Sequence, residues 1–431
     1  MNKWLFILTC LILAIPCSAR TIYVDVNTPD NSDGSSWAKA YKYLQDALAD
    51  ARSSGDVNEI WVAKGIYTPD SNSDHPKGTG DRTATYKLVN AVALKGGYAG
   101  FGKAKPNARD TVAYEVILSG DLDNNDVDVN DPCDLVKEPT RGENSFHVVT
   151  GSHTDSNTVL DGFTITGGNA NATGNSDGAG MYNDRANLTI IDCVFRDNSA
   201  SDDAGGMFNR DSKLRLIYCQ FIRNAAKGDE GINIGGGVFD VRKTKAEFIN
   251  CLFRNNYSEE VGGAISDTGG ASFENCTFIK NIAASGGAVS VGNGAKLVRC
   301  DFENNHAFGH GGGLVTEGSF EVNDCNFLNN SAAGNGAGIH NGGTGRVFRS
   351  KFNGNKARFI GGAIYTRRSI IVELSTIIGN KAASQGAVAS SNEKLASIVL
   401  TNCTLADNTP AKPDGVSTML NKQRQKNNKK E

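Results

Sequence analysis

Apolar and polar positions repeat along most of this chain with a period near 25 residues. A cysteine, or a serine in its place, begins each unit, an apolar residue follows two positions later, and an asparagine follows three positions after that. The nine unit starts are Cys193, Cys219, Cys251, Cys276, Cys300, Cys325, Ser350, Ser375 and Cys403, and the matching asparagines run from Asn198 to Asn408. Self-similarity at a fixed period of this length is typical of a solenoid.

Each unit contains short β segments between glycine and asparagine turns and has no room for a helix of about 10 residues. Because so small a unit cannot bury its own apolar face, it must stack on its neighbours. Units stacked in one register predict an all-β fold, a single-stranded parallel β-helix, and the usual chirality of strand crossovers makes it right-handed. Its cysteines and phenylalanines should form inward columns, and its asparagines should bond to one another along a turn.

The ends of the chain differ from the repeat. Residues 1–19 resemble a secretory signal peptide, with Lys3 before an apolar run and small residues before Arg20. Residues 20–145 are predicted to be an N-terminal cap and first irregular coils, residues 146–408 the regular β-helix, and residues 409–431 a turn and a disordered basic tail. We therefore expect an exported protein that is extracellular, attached to the cell surface or outer membrane, or periplasmic.

One amphipathic helix is predicted ahead of the solenoid. Its apolar positions at helical spacing are Trp37, Tyr41, Leu44, Leu48 and Ala51, and it should begin at Ser35 or Ser36 and end near Gly55. A helix there would cover the apolar core and the unpaired strand at the open end of the first coil. We therefore interpret it as an N-terminal capping helix.

Charge and cysteine content narrow the function classes. The net charge is −3, and it becomes more negative without Lys3 and the basic tail, which argues against nucleic acid as a partner. No apolar run is long enough to predict a transmembrane segment.

Seven of the ten cysteines belong to the repeat, and both buried thiols and disulfides fit an exported protein. The spacing of cysteine and histidine does not match a zinc site.

Acidic pairs occupy the turns of three consecutive units, and stacking should bring them to one edge of the rod. The pairs are Asp202-Asp203, Asp229-Glu230 and Glu259-Glu260. Mutual repulsion of these carboxylates would favour a bound cation such as Ca²⁺. Three interpretations stay open for this acidic edge: a set of solvated turns, a ligand- or cation-binding site, and a catalytic site.

A second acidic stretch lies in the irregular part of the chain. Its candidate oxygen ligands for Ca²⁺ are Asp121, Asp123, Asn125, Asp126 and Asp128. The EF-hand pattern is not met, because Asp126 stands where that loop needs glycine and Pro132 where it needs glutamate. A looser calcium loop and a solvated insertion are the two remaining interpretations.

The repeat, read as a glycine doublet with a hydrophobe followed by Phe-x-x-Asn, resembles that of the chlamydial polymorphic outer membrane proteins. One example is Gly286-Gly287-Ala288-Val289 with Phe302 to Asn305, and the resemblance covers roughly residues 178–408. The segment from Ile22 to Tyr67 looks like the start of secreted pectin-lyase-like proteins. These resemblances imply a right-handed β-helix at the cell surface that is used in adhesion, although the C-terminal translocating barrel of the chlamydial family is missing here.

Two functions from different classes follow from these resemblances. The first is a non-catalytic rod, adhesin-like or structural, that binds an extracellular glycan or another cell-surface partner. The alternative is a polysaccharide lyase or hydrolase of the pectate-lyase type that acts on acidic polysaccharide at the acidic edge. Gly309-His310-Gly311 matches a short polygalacturonase element, but the aspartate pair before it and the Arg-Ile-Lys element after it are absent. We therefore interpret His310 as a turn residue.

Overall fold

The computed structural model describes residues 19–228, 235–241, 244–391 and 396–410, and the statements below refer to these residues. The predicted signal peptide and most of the predicted basic tail lie outside them. The chain winds into one β-helix whose strands form parallel sheets along its length. We name these sheets A to D.

Sheets A and B contribute the largest share of the core. The strands of sheet A are Arg20–Val24, Val57–Ala63, Ala93–Tyr98, Thr158–Asp161, Asn187–Ile191, Lys213–Ile217, Lys245–Ile249, Ser272–Glu274, Ala295–Val298, Phe320–Asn323, Gly345–Phe348, Ser369–Glu373 and Ser397–Thr401. The strands of sheet B are Gly65–Tyr67, Val116–Ser119, Thr164–Thr166, Val194–Arg196, Gln220–Ile222, Leu252–Arg254, Thr277–Ile279, Asp301–Glu303, Asn326–Leu328, Lys351–Asn353, Thr376–Ile378 and Thr404–Ala406.

Sheets C and D complete each coil. The strands of sheet C are Tyr86–Lys87, Val149–Thr150, Met181–Asp184, Met207–Arg210, Val238–Val241, Ile265–Asp267, Val289–Val291, Leu314–Thr316, Ile339–Asn341, Ile364–Thr366 and Val388–Ser390. The strands of sheet D are Asn169–Ala170, Ser199–Ala200, Ala225–Ala226, Tyr257–Ser258, Ile282–Ala283, His306–Ala307, Ser331–Ala332 and Lys356–Ala357. Within one coil the chain passes through C, A, B and D in that order.

The phenylalanines of sheet B form the predicted inward column. From Phe195 to Phe352 the rings are fully buried and stack with centroids 4.6–5.1 Å apart and planes within 13° of parallel. This distance is the spacing of hydrogen-bonded strands, because each ring belongs to the next strand along the rod. The in-register stacking of coils is thereby confirmed.

The asparagines form a hydrogen-bonded ladder at the turn between sheets B and D. Asn281 is typical: its Nδ2 donates to the backbone oxygen of Phe253 and to Asn305 Oδ1, each at 3.0 Å. Its own Oδ1 accepts from the backbone N–H and the Nδ2 of Asn256, also at 3.0 Å. Every polar atom of the buried amide therefore has a partner, which is the condition for burying it without a large free-energy cost.

The repeat cysteines are buried thiols. The side chains from Cys193 to Cys325 are at most 2% exposed, and no disulfide links the cysteines that the structure describes. Ser350 takes the same place, and its Oγ donates to the Phe348 oxygen at 2.9 Å and accepts from the Cys325 backbone N–H at 3.1 Å. Burial raises the pKa of Cys193 to about 12, so this thiol stays protonated and inert at ordinary pH.

The predicted capping helix is present but shorter than expected. Helix α1 spans Leu44–Ser54, ends at Gly55 in the left-handed region, and buries Leu44, Ala47, Leu48 and Ala51 against the first strands of the core. The expected start near Ser35 is wrong, because the Tyr41 backbone pairs with Tyr23 and Asp25 and is therefore extended. Trp37–Lys39 forms only a separate 3₁₀ turn.

An insertion between the sheet B strand Val116–Ser119 and the sheet C strand Val149–Thr150 contains two further 3₁₀ helices, Pro132–Lys137 and Pro139–Arg141. Its two ends meet where the Ser145 backbone N–H donates to the Gly120 oxygen at 2.8 Å. The first of these 3₁₀ helices, with buried Leu135, lies against three strands of sheet D. The insertion 120–145 therefore lies against sheet D of the coils that follow it.

Candidate functional site

The outward side chains of sheet C form one continuous row along the rod. Strand alternation points one residue of each strand outward, and parallel pairing in register places these residues beside one another. This outer row consists of Tyr182, Phe208, Phe239, Ser266, Ser290, Val315, His340 and Tyr365. Its residue types change from coil to coil, unlike those of the inward columns.

A cleft of about 480 Å³ lies over the second half of the outer row. Its lining residues are Val261, Ser285, Ser290, His310, Val315, Glu317, Asn335, His340, Tyr365 and Arg367. The rings of His310 and His340 stack with centroids 4.7 Å apart, and His340 and Tyr365 follow at 5.1 Å. Because the rings stack along the rod, the cleft offers a ligand their edges together with charged and hydroxyl groups.

Both histidines of the cleft are neutral at ordinary pH. Burial, with smaller contributions from repulsion by His310 and Arg367, lowers the pKa of His340 to about 3. Burial also lowers the pKa of His310, whose Nδ1 accepts from the Asn335 backbone N–H at 3.0 Å. The proton of His310 therefore resides on Nε2. His340 is only 6% exposed, and its buried Nδ1 has no hydrogen-bond partner among the described residues.

The predicted acidic edge is partly assembled. Asp202 and Asp203 lie in the loop before the strand Met207–Arg210, and Asp177 of the preceding coil joins them, with one carboxylate oxygen of each within 4.8 Å of the others. The Asp203 backbone N–H donates to Asp177 Oδ1 at 3.3 Å. Glu259 is exposed, whereas Glu260 lies near enough to affect Asp203. Asp229 and Glu230 lie outside the described residues.

The electrostatics of this edge single out Asp203. Burial, followed by repulsion from Asp177, Asp202 and Glu260, raises the pKa of Asp203 to about 8. Burial likewise raises the pKa of Asp177. A carboxyl group whose pKa is raised to about 8 and that lies beside other carboxylates has the arrangement of a general acid, and the same group of oxygens suits a hard cation.

The basic groups near this edge are already engaged. Arg210 Nε donates to Asp184 Oδ1 at 2.9 Å and its Nη2 to the Tyr182 hydroxyl at 3.0 Å. These contacts raise the pKa of Arg210, with the Asp184 hydrogen bond as the main cause, so it is no candidate base. His147 lies within hydrogen-bond distance of the Gly178 oxygen and Asn175 Oδ1 through its two ring nitrogens. Among the described residues, this edge therefore has a candidate acid but no basic side chain poised as its partner.

The second predicted cation site is rearranged in the insertion 120–145. Asp121 and Asp126 come together, but the third carboxylate beside them is Glu143, with one oxygen of each within 4.8 Å of the others. Asp123, Asn125 and Asp128 are exposed and outside this group. Sequence spacing could not reveal Glu143, because the two ends of the insertion meet only through the fold.

The comparisons concern the fold. A family model described as the right handed beta helix region matches residues 225–357 and, in a second match, residues 262–427. No curated protein matches the chain. The fold is therefore a right-handed parallel β-helix. The fold prediction is confirmed, whereas the chlamydial type of repeat and the exported location stay predictions.

Three solved structures are similar at low identity. Pectate lyase Pel9A is 12% identical with a TM-score of 0.39, covering 93% of this chain and 78% of its own. The mannuronan C-5 epimerase AlgE4 A-module of Azotobacter vinelandii is 14% identical with a TM-score of 0.36, covering 92% and 97%. The catalytic unit of the GH87 alpha-1,3-glucanase of Streptomyces thermodiastaticus strain HF3-3 is 12% identical with a TM-score of 0.37, covering 92% and 68%.

The cleft was not predicted from the sequence. His310 was interpreted as a turn residue, and His340, Tyr365 and Arg367 were not singled out. The sequence contains a sign of this row, since each outer-row residue lies one position after the first inward hydrophobe that follows a run of small residues, as Ser290 follows Val289.

Proposed function

We propose that this protein binds an extended polysaccharide along the outer row of sheet C. A linear row of groups at the spacing of about 4.8 Å set by the strands suits a linear ligand lying parallel to the rod. The cleft supports this most directly, because it places neutral imidazoles, a tyrosine, an arginine and a glutamate along one line. Such donors and acceptors suit a polymer rich in hydroxyl groups.

The proposed setting is outside the cytoplasm, at the cell surface or in the surrounding medium. It rests on the features of residues 1–19, which lie outside the described structure. Among the described residues, no helix is long and apolar enough to cross a membrane. Fractionation of the producing cells with an antibody to the purified protein tests this location.

Binding is tested with an immobilised panel of neutral and acidic polysaccharides: xylan, dextran, alginate and polygalacturonate. The wild-type protein should be retained by at least one of them, and protonation of His340 should not change the affinity between pH 5 and 8, because its pKa is lowered to about 3. His340→Ala and Arg367→Ala should each weaken binding by about fivefold, the loss expected for one hydrogen bond.

The control is Arg346→Ala, which removes an arginine that pairs with Glu373 on the outside of sheet A, away from the cleft. Its affinity should stay within about twofold of wild type. Equal losses in Arg346→Ala and Arg367→Ala, or no retention by any polysaccharide, would contradict the proposal.

A second candidate function is cleavage of an acidic polysaccharide by a lyase or hydrolase at the acidic edge. The raised pKa of Asp203 beside Asp177 and Asp202 favours it, because this carboxyl group can deliver a proton near neutral pH. Incubation with polygalacturonate or alginate plus Ca²⁺ should then produce unsaturated ends seen by ultraviolet absorbance, or new reducing ends. Asp203→Asn should abolish either product. Binding without any product would leave the binding function alone.

A further inference from the structure

The insertion 120–145 contains a group of carboxylates that the rod itself does not require. Asp121, Asp126 and Glu143 place one oxygen each within 4.8 Å of the others, and Asp121 and Asp126 line a pocket of about 150 Å³ together with Arg141. Three carboxylates and one guanidinium leave two formal negative charges. Such an excess at one partly enclosed point is costly unless a proton or a cation joins it.

Two oxygens of this group, Asp126 Oδ1 and Glu143 Oε1, are buried without any donor among the described residues. The same holds for Asn144 Oδ1 and Ser145 Oγ in the two residues that follow Glu143. Asn144 and Ser145 are completely buried. Asn144 faces the carboxylates through its amide, whose Nδ2 donates to Asp126 Oδ2 at 2.9 Å, while its own Oδ1 remains unpartnered. Buried acceptors without donors are rare, and a bound ion is one of their ordinary explanations.

Arg141 does not satisfy these oxygens. Its side chain is 3% exposed, and Nη1 donates to Asp126 Oδ2 at 3.0 Å. Nη2 donates to the backbone oxygens of Gly168 at 2.9 Å and Asp197 at 3.0 Å, and Nε has no acceptor. The guanidinium therefore ties the insertion to the rod but leaves the second oxygen of Asp126 to another partner.

We propose that Asp121, Asp126 and Glu143 bind one Ca²⁺ ion that fastens the two ends of the insertion 120–145 together. All available ligand atoms are oxygens, which hard divalent cations prefer, and Ca²⁺ accepts irregular sets completed by amide oxygens and water. Asp121 and Asp126 come from the beginning of the insertion and Glu143 from its end. The ion would therefore act at the point where the Ser145 N–H meets the Gly120 oxygen.

The test is calorimetric titration of CaCl₂ into the purified full-length protein after treatment with EDTA, with MgCl₂ as a parallel titrant. We expect one Ca²⁺ site with a dissociation constant of about 10⁻⁴ to 10⁻³ M, as in extracellular modules, and weaker binding of Mg²⁺. Glu143→Gln, which keeps the shape of the side chain, should weaken Ca²⁺ binding by about tenfold or more. The matched control Asp123→Asn, in the same loop but exposed, should stay within about twofold of wild type.

Hydrogen exchange of the backbone amides provides a second measurement in case a variant folds poorly. Ca²⁺ should slow exchange of backbone amides in 121–145 in the wild type and in Asp123→Asn, with no change in residues 277–303 of the rod. The proposal is overturned if folded wild-type protein binds no Ca²⁺, or if Glu143→Gln binds it as wild type does. It is also overturned if acidification alone protects the loop, because a proton shared by the carboxyl groups would then replace the ion.

Discussion

The inside of the rod and the outer row of sheet C are made by the same coils but follow different rules. Inside, residues of one type recur in almost every coil, as the phenylalanine column and the asparagine ladder show. Outside, the row changes from Tyr182 and Phe208 through Ser266 and Ser290 to His340 and Tyr365. The difference follows from packing, since an inward residue meets its own copies above and below, whereas an outward residue faces solvent or a ligand.

This contrast separates residues that build the fold from residues that carry function. A repeated residue is explained by its neighbours in the stack and needs no ligand. A non-repeated outward residue in a cleft has no such explanation. The histidines of the cleft are therefore candidates for binding a ligand, whereas the repeated cysteines are explained by packing. The following predictions test where this boundary lies.

The largest expected effect is the loss of one interior ring. Phe278→Ala removes a fully buried ring whose centroid lies 4.9 Å from Phe253 and 4.7 Å from Phe302. It should lower the free energy of unfolding by about 3–5 kcal/mol, measured by urea denaturation. The control Phe308→Ala, at a side chain that is 61% exposed, should change it by less than about 0.5 kcal/mol. Similar losses in both variants would mean that the interior stack has no special role.

The second largest effect on the free energy of unfolding should come from the loss of one side-chain amide of the asparagine ladder. Asn281→Ala leaves the backbone N–H of Asn256 and the oxygen of Phe253 without their amide partners in a buried turn. We expect a loss of about 3 kcal/mol in the free energy of unfolding, since each unsatisfied group costs about 1–3 kcal/mol. Asn353→Ala, at an exposed asparagine of sheet B, is the matched control and should be nearly neutral. A neutral Asn281→Ala would contradict the ladder's contribution.

The ionisation of Asp203 tests whether the acidic edge has a function or only belongs to the fold. Its pKa is raised to about 8 in the folded protein from an ordinary value near 3.8. The folded state therefore holds this proton more tightly, and its stabilising effect is complete below about pH 4 and lost as pH rises to about 8. Across that range the unfolding free energy of the wild type should fall by several kcal/mol relative to that of Asp203→Asn, since one pKa unit corresponds to about 1.4 kcal/mol.

The measurement is urea denaturation at pH 4, 6 and 8, and it needs a carboxylate control. Asp128→Asn, at an exposed aspartate, should keep the pH dependence of the wild type. Parallel curves for the wild type and Asp203→Asn would show that Asp203 ionises normally, and the case for a general acid at the acidic edge would be lost.

The smallest expected effect concerns thiol chemistry. In native protein at pH 8, the buried thiols from Cys193 to Cys325 should not react with an aromatic disulfide reagent, because the reagent cannot reach them. Among the cysteines that the structure describes, only Cys133 and Cys403, which are partly exposed, should react, and Cys133 slowly, since its pKa is raised to about 11. Urea should expose the remaining thiols. If these thiols also fail to react in urea, the cysteines are paired in disulfides and the prediction is wrong.

Residues of the repeated pattern could be predicted from the sequence, whereas residues brought together only by the fold could not. The column residues, the register and the cap could be predicted because each depends on a repeated local pattern or a helical spacing. Glu143 and Asp177 could not, since they join their partners through an insertion and through a coil outside the nine counted units. The start of helix α1 was wrong because Tyr41 pairs with a strand, a tertiary contact that overrides its helical spacing.

The central claim, that a polysaccharide lies on the outer row of sheet C, is tested most directly by hydroxyl-radical footprinting. The protein is labelled with and without the polysaccharide that retains it, and oxidation is measured for each residue. We predict that His310, which is exposed in the cleft, becomes protected, while the exposed Tyr218 after the sheet A strand Lys213–Ile217 does not. Protection of Tyr218 with unchanged oxidation of His310 would contradict the account.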